Sequence, residues 1–381
     1  MATKTLANEV AKLGQTVLVL QGGGALGAYQ VGVYEALHEA GIAPQWVIGT
    51  SIGAINAALI VGSKPDERLE KMREFWSRVT NDTFVPGGLP AWLATATRNM
   101  LAITSGVPSF FSPNPLAFAS PHYKLGAESA GYYSVSPLRR TLEDLIDVDQ
   151  LNSGDARITV GASCVRTAEM RYFDSRDMPL SIDHIMASGA LPPGFPPVRI
   201  DGELYWDGGI LSNTPVEVVF DDNPRRSGLV FAVHIWNPHG PEPETMWEVM
   251  NRQKDVQYSS RAAAHIKRQR QLHRMRHVIA ELSKMVPEDK RRDNLFGDMA
   301  SYGCLTRMHV VRLLAPALDH EDHSKDIDFS AGGIRRRREA GYSDTMKTLE
   351  NAPWRAPVDE IEGFILHEAS GGHMVETAAA R

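Results

Sequence analysis

Ser51 stands in Gly49-Thr50-Ser51-Ile52-Gly53, with the apolar run Trp46-Val47-Ile48 before it and a small, apolar stretch from Ile52 to Gly62 after it. The order reads as strand, sharp turn, helix, the nucleophile-elbow arrangement that holds a serine out of the fold for attack on a carbonyl. Gly49 and Gly53, without a Cβ, let the chain bend and the helix close onto the strand. Such a serine needs a group to take its proton and donors to hold an oxyanion. Two further stretches offer them. Gly22-Gly23-Gly24-Ala25-Leu26-Gly27 follows the apolar run Thr16 to Leu20 and opens a helical pattern (Val31, Tyr34, Leu37) ending near Ala40, with Gly41 as its cap. Backbone N–H groups at a helix start of this kind can hold an oxyanion. Asp207-Gly208-Gly209 closes the strand-like Leu204-Tyr205-Trp206, and its glycines leave Asp207 room to sit beside Ser51 as proton acceptor.

Each motif has a competing reading. Gly22, Gly24 and Gly27 also satisfy the G-x-G-x-x-G of a dinucleotide fold, which wants an acid about twenty residues on. Ala43 to Thr50 contains none, and the second strand ends in the serine turn instead. A glycine turn needed only for tight packing stays open. For the proton acceptor, an ordinary α/β-hydrolase would use a late histidine. His234, His265, His273, His277, His309, His320 and His323 qualify by order, but none lies in a glycine-framed loop like that of Asp207.

The elements that must position these residues read as α/β. Apolar runs at Gly228 to Trp236 and Met308 to Leu314 are further buried strands, Arg157 to Val165 with Arg171 to Phe173 a strand pair. Residues 65–80 form an amphipathic helix through Leu69, Met72, Trp76 and Val79, with Pro65 in its first turn; Ser136 and Ser181 begin two more helices. Residues 84–133, rich in Pro, Gly and aromatics (Phe84, Trp92, Phe110, Phe111, Phe118, Tyr123, Tyr132, Tyr133), are a long insertion that either walls an acyl site or packs onto the domain. From Pro241 the composition changes. Residues 243–286 are mostly helix, with Leu272, Met275, Ile279, Leu282 and Val286 as a packed stripe. Eight Lys or Arg against the single acid Asp255 fall between Arg252 and Arg276, a solvated face or a contact for anionic headgroups. Arg335-Arg336-Arg337-Arg338 is a second basic patch without an evident role, and the last dozen residues read as a loose tail.

At 381 residues the chain holds either two domains or one large domain with extensions. The apolar fraction of 43% argues against disorder, and a net charge of −6 argues against general nucleic-acid binding. Cys164 and Cys304 read as buried free thiols of a reducing compartment. Met1 to Gln15 lacks a signal-peptide core and Ile52 to Gly62 is too short to span a bilayer. The expectation is a cytoplasmic protein with at most peripheral membrane contact.

In the order Gly22 to Gly27, Gly49 to Gly53, the Ala187 to Pro197 loop with Phe195-Pro196-Pro197, and Asp207-Gly208-Gly209 followed by Asn213 and Pro215, the chain resembles the patatin-like phospholipase family over about residues 16–220. The resemblance implies a three-layer, open and mostly parallel sheet with helices on both faces over residues 14–240. Residues 241–381 are then a mainly helical C-terminal extension, packed on the core and adding a strand near 308–314. It implies a serine acyl-ester hydrolase of phospholipase A, lysophospholipase or esterase type, without metal or cofactor. Its dyad would be Ser51 as nucleophile and Asp207 as base, its oxyanion hole Gly22, Gly23 and Gly24, with Gly27, Gly49, Gly53, Gly208 and Gly209 as support. One departure stands out: where the family usually has Arg or Lys two residues past the glycine triplet, this chain has Leu26. Short-chain or hydroxyalkanoate-oligomer esters, acyl transfer, and a non-catalytic binding protein on the same scaffold stay open beside the lipid reading.

Overall fold

Thr16 to Leu20 bury every side chain, as a strand covered on both faces must. This strand, β1 (Gln15–Leu20), is the middle of a nine-stranded mixed sheet in a computed structural model that describes residues 2–81, 97, 100–292, 294–318, 321, 323–359 and 361–369. Phe84, Trp92, His320 and the tail from 370 lie outside the described residues. The other strands are β2 (Trp46–Thr50), β3 (Arg157–Cys164), β4 (Met170–Asp174), β5 (Val198–Ile200), β6 (Glu203–Asp207), β7 (Gly228–His234), β8 (Met308–Leu314) and β9 (Phe364–Ala369). Parallel pairing runs β9-β8-β7-β1-β2-β3, and β4 and β6 then pair antiparallel with β3.

Alternate residues of the strands feed two cores. Leu18, Leu20 and Val47 pack under α2 (Ala28–Glu39), α3 (Ile52–Val61) and α4 (Arg68–Arg78), whereas Val17, Val19, Ile48 and Val230 pack against Phe220, Ile266 and Phe364. Helices therefore cover both faces of a mostly parallel sheet. Further helices include α1 (Ala2–Leu13), α5 (Ser136–Leu145), α6 (Ile182–Ser188), α7 (Met246–Met285) and α8 (Ala331–Asn351). The sheet continues unbroken past residue 240, because β8 pairs along the whole of β7 and β9 along β8. On the opposite side of the sheet α8 lies along α2, tied by Arg338 to Glu35 at 3.1 Å and the Tyr342 hydroxyl to Glu39 at 2.6 Å.

Several expectations are amended. Strand β9 and helix α1 are additional elements, and α4 begins at Arg68 with Pro65 in the preceding turn. The stripe of α7 points outward: Leu272, Met275 and Leu282 are exposed, while Ile266, His273 and His277 face the sheet. Both imidazole Nε2 atoms meet the Thr306 carbonyl oxygen, at 2.9 and 2.8 Å, which lets two histidines occupy a buried helix face. The basic residues of α7 are largely spent internally. Lys254 pairs with Asp326, Arg270 and Arg274 with Glu362, and Arg252 and Arg276 donate to backbone carbonyls. Cys164 is buried and free as expected; Cys304, also free, is only half-buried, in a connection.

Candidate active site

Strands β2 and β6 meet head-on. Thr50, the last residue of β2, pairs with Gly161 of β3, and Asp207, the last of β6, pairs with the next residue, Ala162. Ala162 and Ser163 also pair with β4, so β6 occupies the edge of β3 that β2 has just left. The two C-terminal strand ends thus face each other across one register position. Ser51 follows the first and Asp207 ends the second.

The elbow is strained and pinned. Ser51 has φ 56 and ψ −126, a region costly for any residue with a side chain, and it is the N-cap of α3. Its N–H donates to Ser188 Oγ at 3.0 Å, and the Ser188 hydroxyl donates on to the Gly161 carbonyl at 2.6 Å. A Cβ on Gly49 would collide with the Gly53 carbonyl and one on Gly53 with the Leu20 carbonyl, so both glycines are required by close backbone approach.

Asp207 is 1% exposed. Burial pushes its carboxyl up to about 7, against the opposing effect of hydrogen bonds from Ser51 and from the Gly209 amide at 2.7 Å. The sequence candidates Ser51 and Asp207 are therefore in contact. Gly208 packs on the Gly161 carbonyl and Gly209 beside the Asn213 side chain.

Of the three glycines expected to donate to an oxyanion, Gly22 is already engaged: its N–H donates to the Asn213 carbonyl at 3.1 Å. Its own carbonyl accepts from Asn213 Nδ2 at 3.0 Å and Trp236 Nε1 at 2.8 Å. The amides of Gly23 and Gly24 have no hydrogen-bond acceptor among the described residues, which leaves them as the available donors. Gly24 has φ +55 and the Asp326 carbonyl lies where a Cβ would be, so only glycine fits. Gly27 abuts Ile52 at the start of α3. Leu26 is 5% exposed and belongs to the main core, so this position presents nothing to a ligand.

A chain of buried amides fixes this turn. Gln21 accepts from the Ile235 and Trp236 amides at 2.6 and 3.0 Å and donates to Thr214 Oγ1 at 2.7 Å. Gln30 Nε2 donates to the Gln21 carbonyl at 2.6 Å, Asn56 Nδ2 to Gln30 Oε1 at 2.8 Å, and Trp76 Nε1 to Asn56 Oδ1 at 3.0 Å. Sequence reasoning did not single out Gln21, Gln30 or Ser188. Polar residues inside otherwise apolar helical and strand patterns are the signal that marks them.

Ser51 and Asp207 open into a cavity of about 290 Å³. Phe110, Phe111 and Tyr133 of the insertion form one wall, so its described part does line the site, while Phe118, Tyr123 and Tyr132 stay exposed. Phe195 of the proline loop continues that wall, and Tyr258, Ile327 and Phe329 come from the C-terminal extension. Among the described residues no histidine lines the cavity. His234 is fully buried, which pulls it well below the usual imidazole range; His265 faces Glu217, His309 stacks on His367 and His323 lies tilted against Trp247. No group of three or more His, Cys, Asp or Glu among the described residues could hold a metal ion.

The nucleophile elbow, the Asp-Gly-Gly strand end and the glycine turn on one α/β sheet define a class, and the family comparison agrees. The patatin-like phospholipase model matches residues 18–220, more than half of the chain, and a second, patatin phospholipase model matches residues 256–361. The chain belongs to the patatin-like phospholipase family. Among its relatives are an uncharacterised NTE family protein of Mycobacterium tuberculosis, 30% identical over 212 residues, and the human patatin-like phospholipase domain-containing protein 6, 28% identical over 210. Each match covers 54% of this chain but only 28% and 12% of those proteins. The solved structure of VipD from Legionella pneumophila aligns with a TM-score of 0.40 at 16% identity, over 88% of this chain and 67% of that one.

Proposed function

We propose that this chain hydrolyses carboxylic acyl esters of lipids through a covalent acyl-serine. Ser51 Oγ attacks the ester carbonyl while Asp207 accepts its proton, and the charge that develops on the carbonyl oxygen is held by the Gly23 and Gly24 amides. Collapse breaks the ester bond, the leaving alkoxide takes the proton from Asp207, and the acyl group remains on Ser51. Water then attacks the acyl-serine and gives a proton to Asp207; collapse releases the carboxylic acid, and the departing Ser51 alkoxide takes that proton, which restores the Ser51 hydroxyl and the Asp207 carboxylate. A carboxylate near an ordinary value of about 4 is a poor base toward an alcohol, and the burial that raises Asp207 makes it a better one.

The contact between Ser51 and Asp207 at the floor of an apolar cavity, with two unengaged amides beside it, is the observation that carries this reading. Peripheral contact with a lipid surface fits the insertion better than the internally paired basic helix, since Ile103 lines the cavity yet is 41% exposed, and Leu116 and Phe118 are exposed as well. No helix among the described residues is long and apolar enough to cross a membrane. The test is a series of p-nitrophenyl esters and phospholipids assayed with wild type and Ser51→Ala, together with fluorophosphonate labelling. Activity and label are both expected to vanish in Ser51→Ala; label or turnover that survives there rejects the nucleophile. Competing alcohols in the same assay distinguish transfer from hydrolysis by their ester products.

A further inference from the structure

The C-terminal extension reaches the cavity through a short strap, residues 324–329, that arrives beside Gly24. The strap is rigidly held. Arg337 of α8, 4% exposed, donates to the Lys325 carbonyl at 3.1 Å and the Asp328 carbonyl at 2.9 Å. Lys325 pairs with Asp255 at 2.7 Å and Asp326 with Lys254 at 2.6 Å, both on α7. The Asn81 amide donates to the Phe329 carbonyl at 2.8 Å. A tight turn, closed by the Ile327 amide on the Ser324 carbonyl at 2.9 Å, leaves the half-buried Ile327 side chain on the cavity wall.

The aromatic walls have little freedom. Phe110 and Phe111 interlock with Phe195, with centroids 6.3 and 5.5 Å away, and Phe329 is wedged between Trp76 and Phe110 at 6.3 and 5.3 Å. Tyr258 is spent against the Trp236 ring at 4.9 Å. Ile327 is the aliphatic side chain that the extension contributes to the cavity wall.

We propose that Ile327 is a specificity-determining residue that sets the length of acyl chain the site accepts, so that the extension, and not the Ser-Asp core alone, selects the substrate. The proposal rests on the ester-hydrolase reading above. A side chain that bounds an acyl pocket discriminates by the methylenes it excludes, each worth about 10-fold or more in kcat/KM. The full chain is assayed as wild type, Ile327→Val, Ile327→Ala and Ile327→Trp on p-nitrophenyl esters of increasing acyl length. Ile327→Trp should lose about 10-fold or more on the longest esters that wild type accepts while retaining the shortest within about threefold. Ile327→Ala should move the optimum toward longer chains, and Ile327→Val, one methylene shorter than wild type, should move it in the same direction by less.

Profiles unchanged in Ile327→Trp and Ile327→Ala, or lowered equally at every length, overturn the assignment. Fluorophosphonate labelling at the wild-type rate certifies that each variant is folded at the elbow. A wild-type chain that hydrolyses none of the series, or a Ser51→Ala chain that still does, instead removes the ester-hydrolase reading and this proposal with it.

Discussion

Asp207 is the residue whose protonation decides the most. Below about pH 4 the folded and unfolded chains both hold its proton; between about 4 and 7 only the folded chain does, so this group's contribution to stability falls as pH rises and levels off above its folded value. Asp207→Asn cannot ionise. It is expected to melt above wild type at pH 8 and to converge with it near pH 4, and equal melting temperatures at pH 8 would count against a buried, raised carboxylate. In the proposed role of base Asp207 must be ionised, so kcat/KM on a soluble ester should rise through an acid limb near pH 7. The limb should disappear in Asp207→Asn along with about 10³-fold or more of the rate, measured at pH 8. Both measurements read one group through different properties, so loss of activity from misfolding cannot imitate the pair.

Among the elements, the local ones were legible in sequence because their signals are contiguous. The elbow, the glycine turn and the capped helices each declare themselves within a dozen residues through glycine placement and period. Side-chain direction was not: a stripe at three-four spacing shows that α7 has two faces but not which one the sheet takes, and the buried face proved to carry His273 and His277. Strand β9 went unread because Phe-Ile-Leu-His-Glu-Ala is apolar for only three residues and sits at the sheet edge. The direction of β6 depends on its hairpin with β5, whose local mark is Asp201-Gly202, with φ 49 and 86 as a two-residue hairpin turn requires. Arg337, lost among four consecutive arginines in sequence, is a buried anchor for the strap, Glu321 and Asp328. Arg337→Met would leave those carboxylates without it and should cost about 3–5 kcal/mol in urea unfolding. Arg337→Lys should recover only part, because one ammonium cannot replace the planar fork.

At the scale of the molecule, one nine-stranded sheet is shared by the region matched to the patatin-like model and by the C-terminal extension. Cutting the chain at residue 240 removes β8 and β9, bares β7 along its full length and uncovers Phe220. Residues 1–240 alone are therefore expected to aggregate, and a monomeric, cooperatively melting fragment on gel filtration would show that the core folds without its extension. The head-on meeting of β2 and β6 has a consequence for how such a chain can vary in length over descent. Loops of the insertion can gain or lose residues and leave both strand ends where they are. A single residue gained within Glu203–Asp207 on the far side of Tyr205, with the pairing to β3 kept at Tyr205, would turn the carboxylate to the opposite face of the sheet and carry it about 3.3 Å past Ala162. Relatives that keep this chemistry should therefore show their length differences in the surface loops and hold the spacing of those five residues fixed.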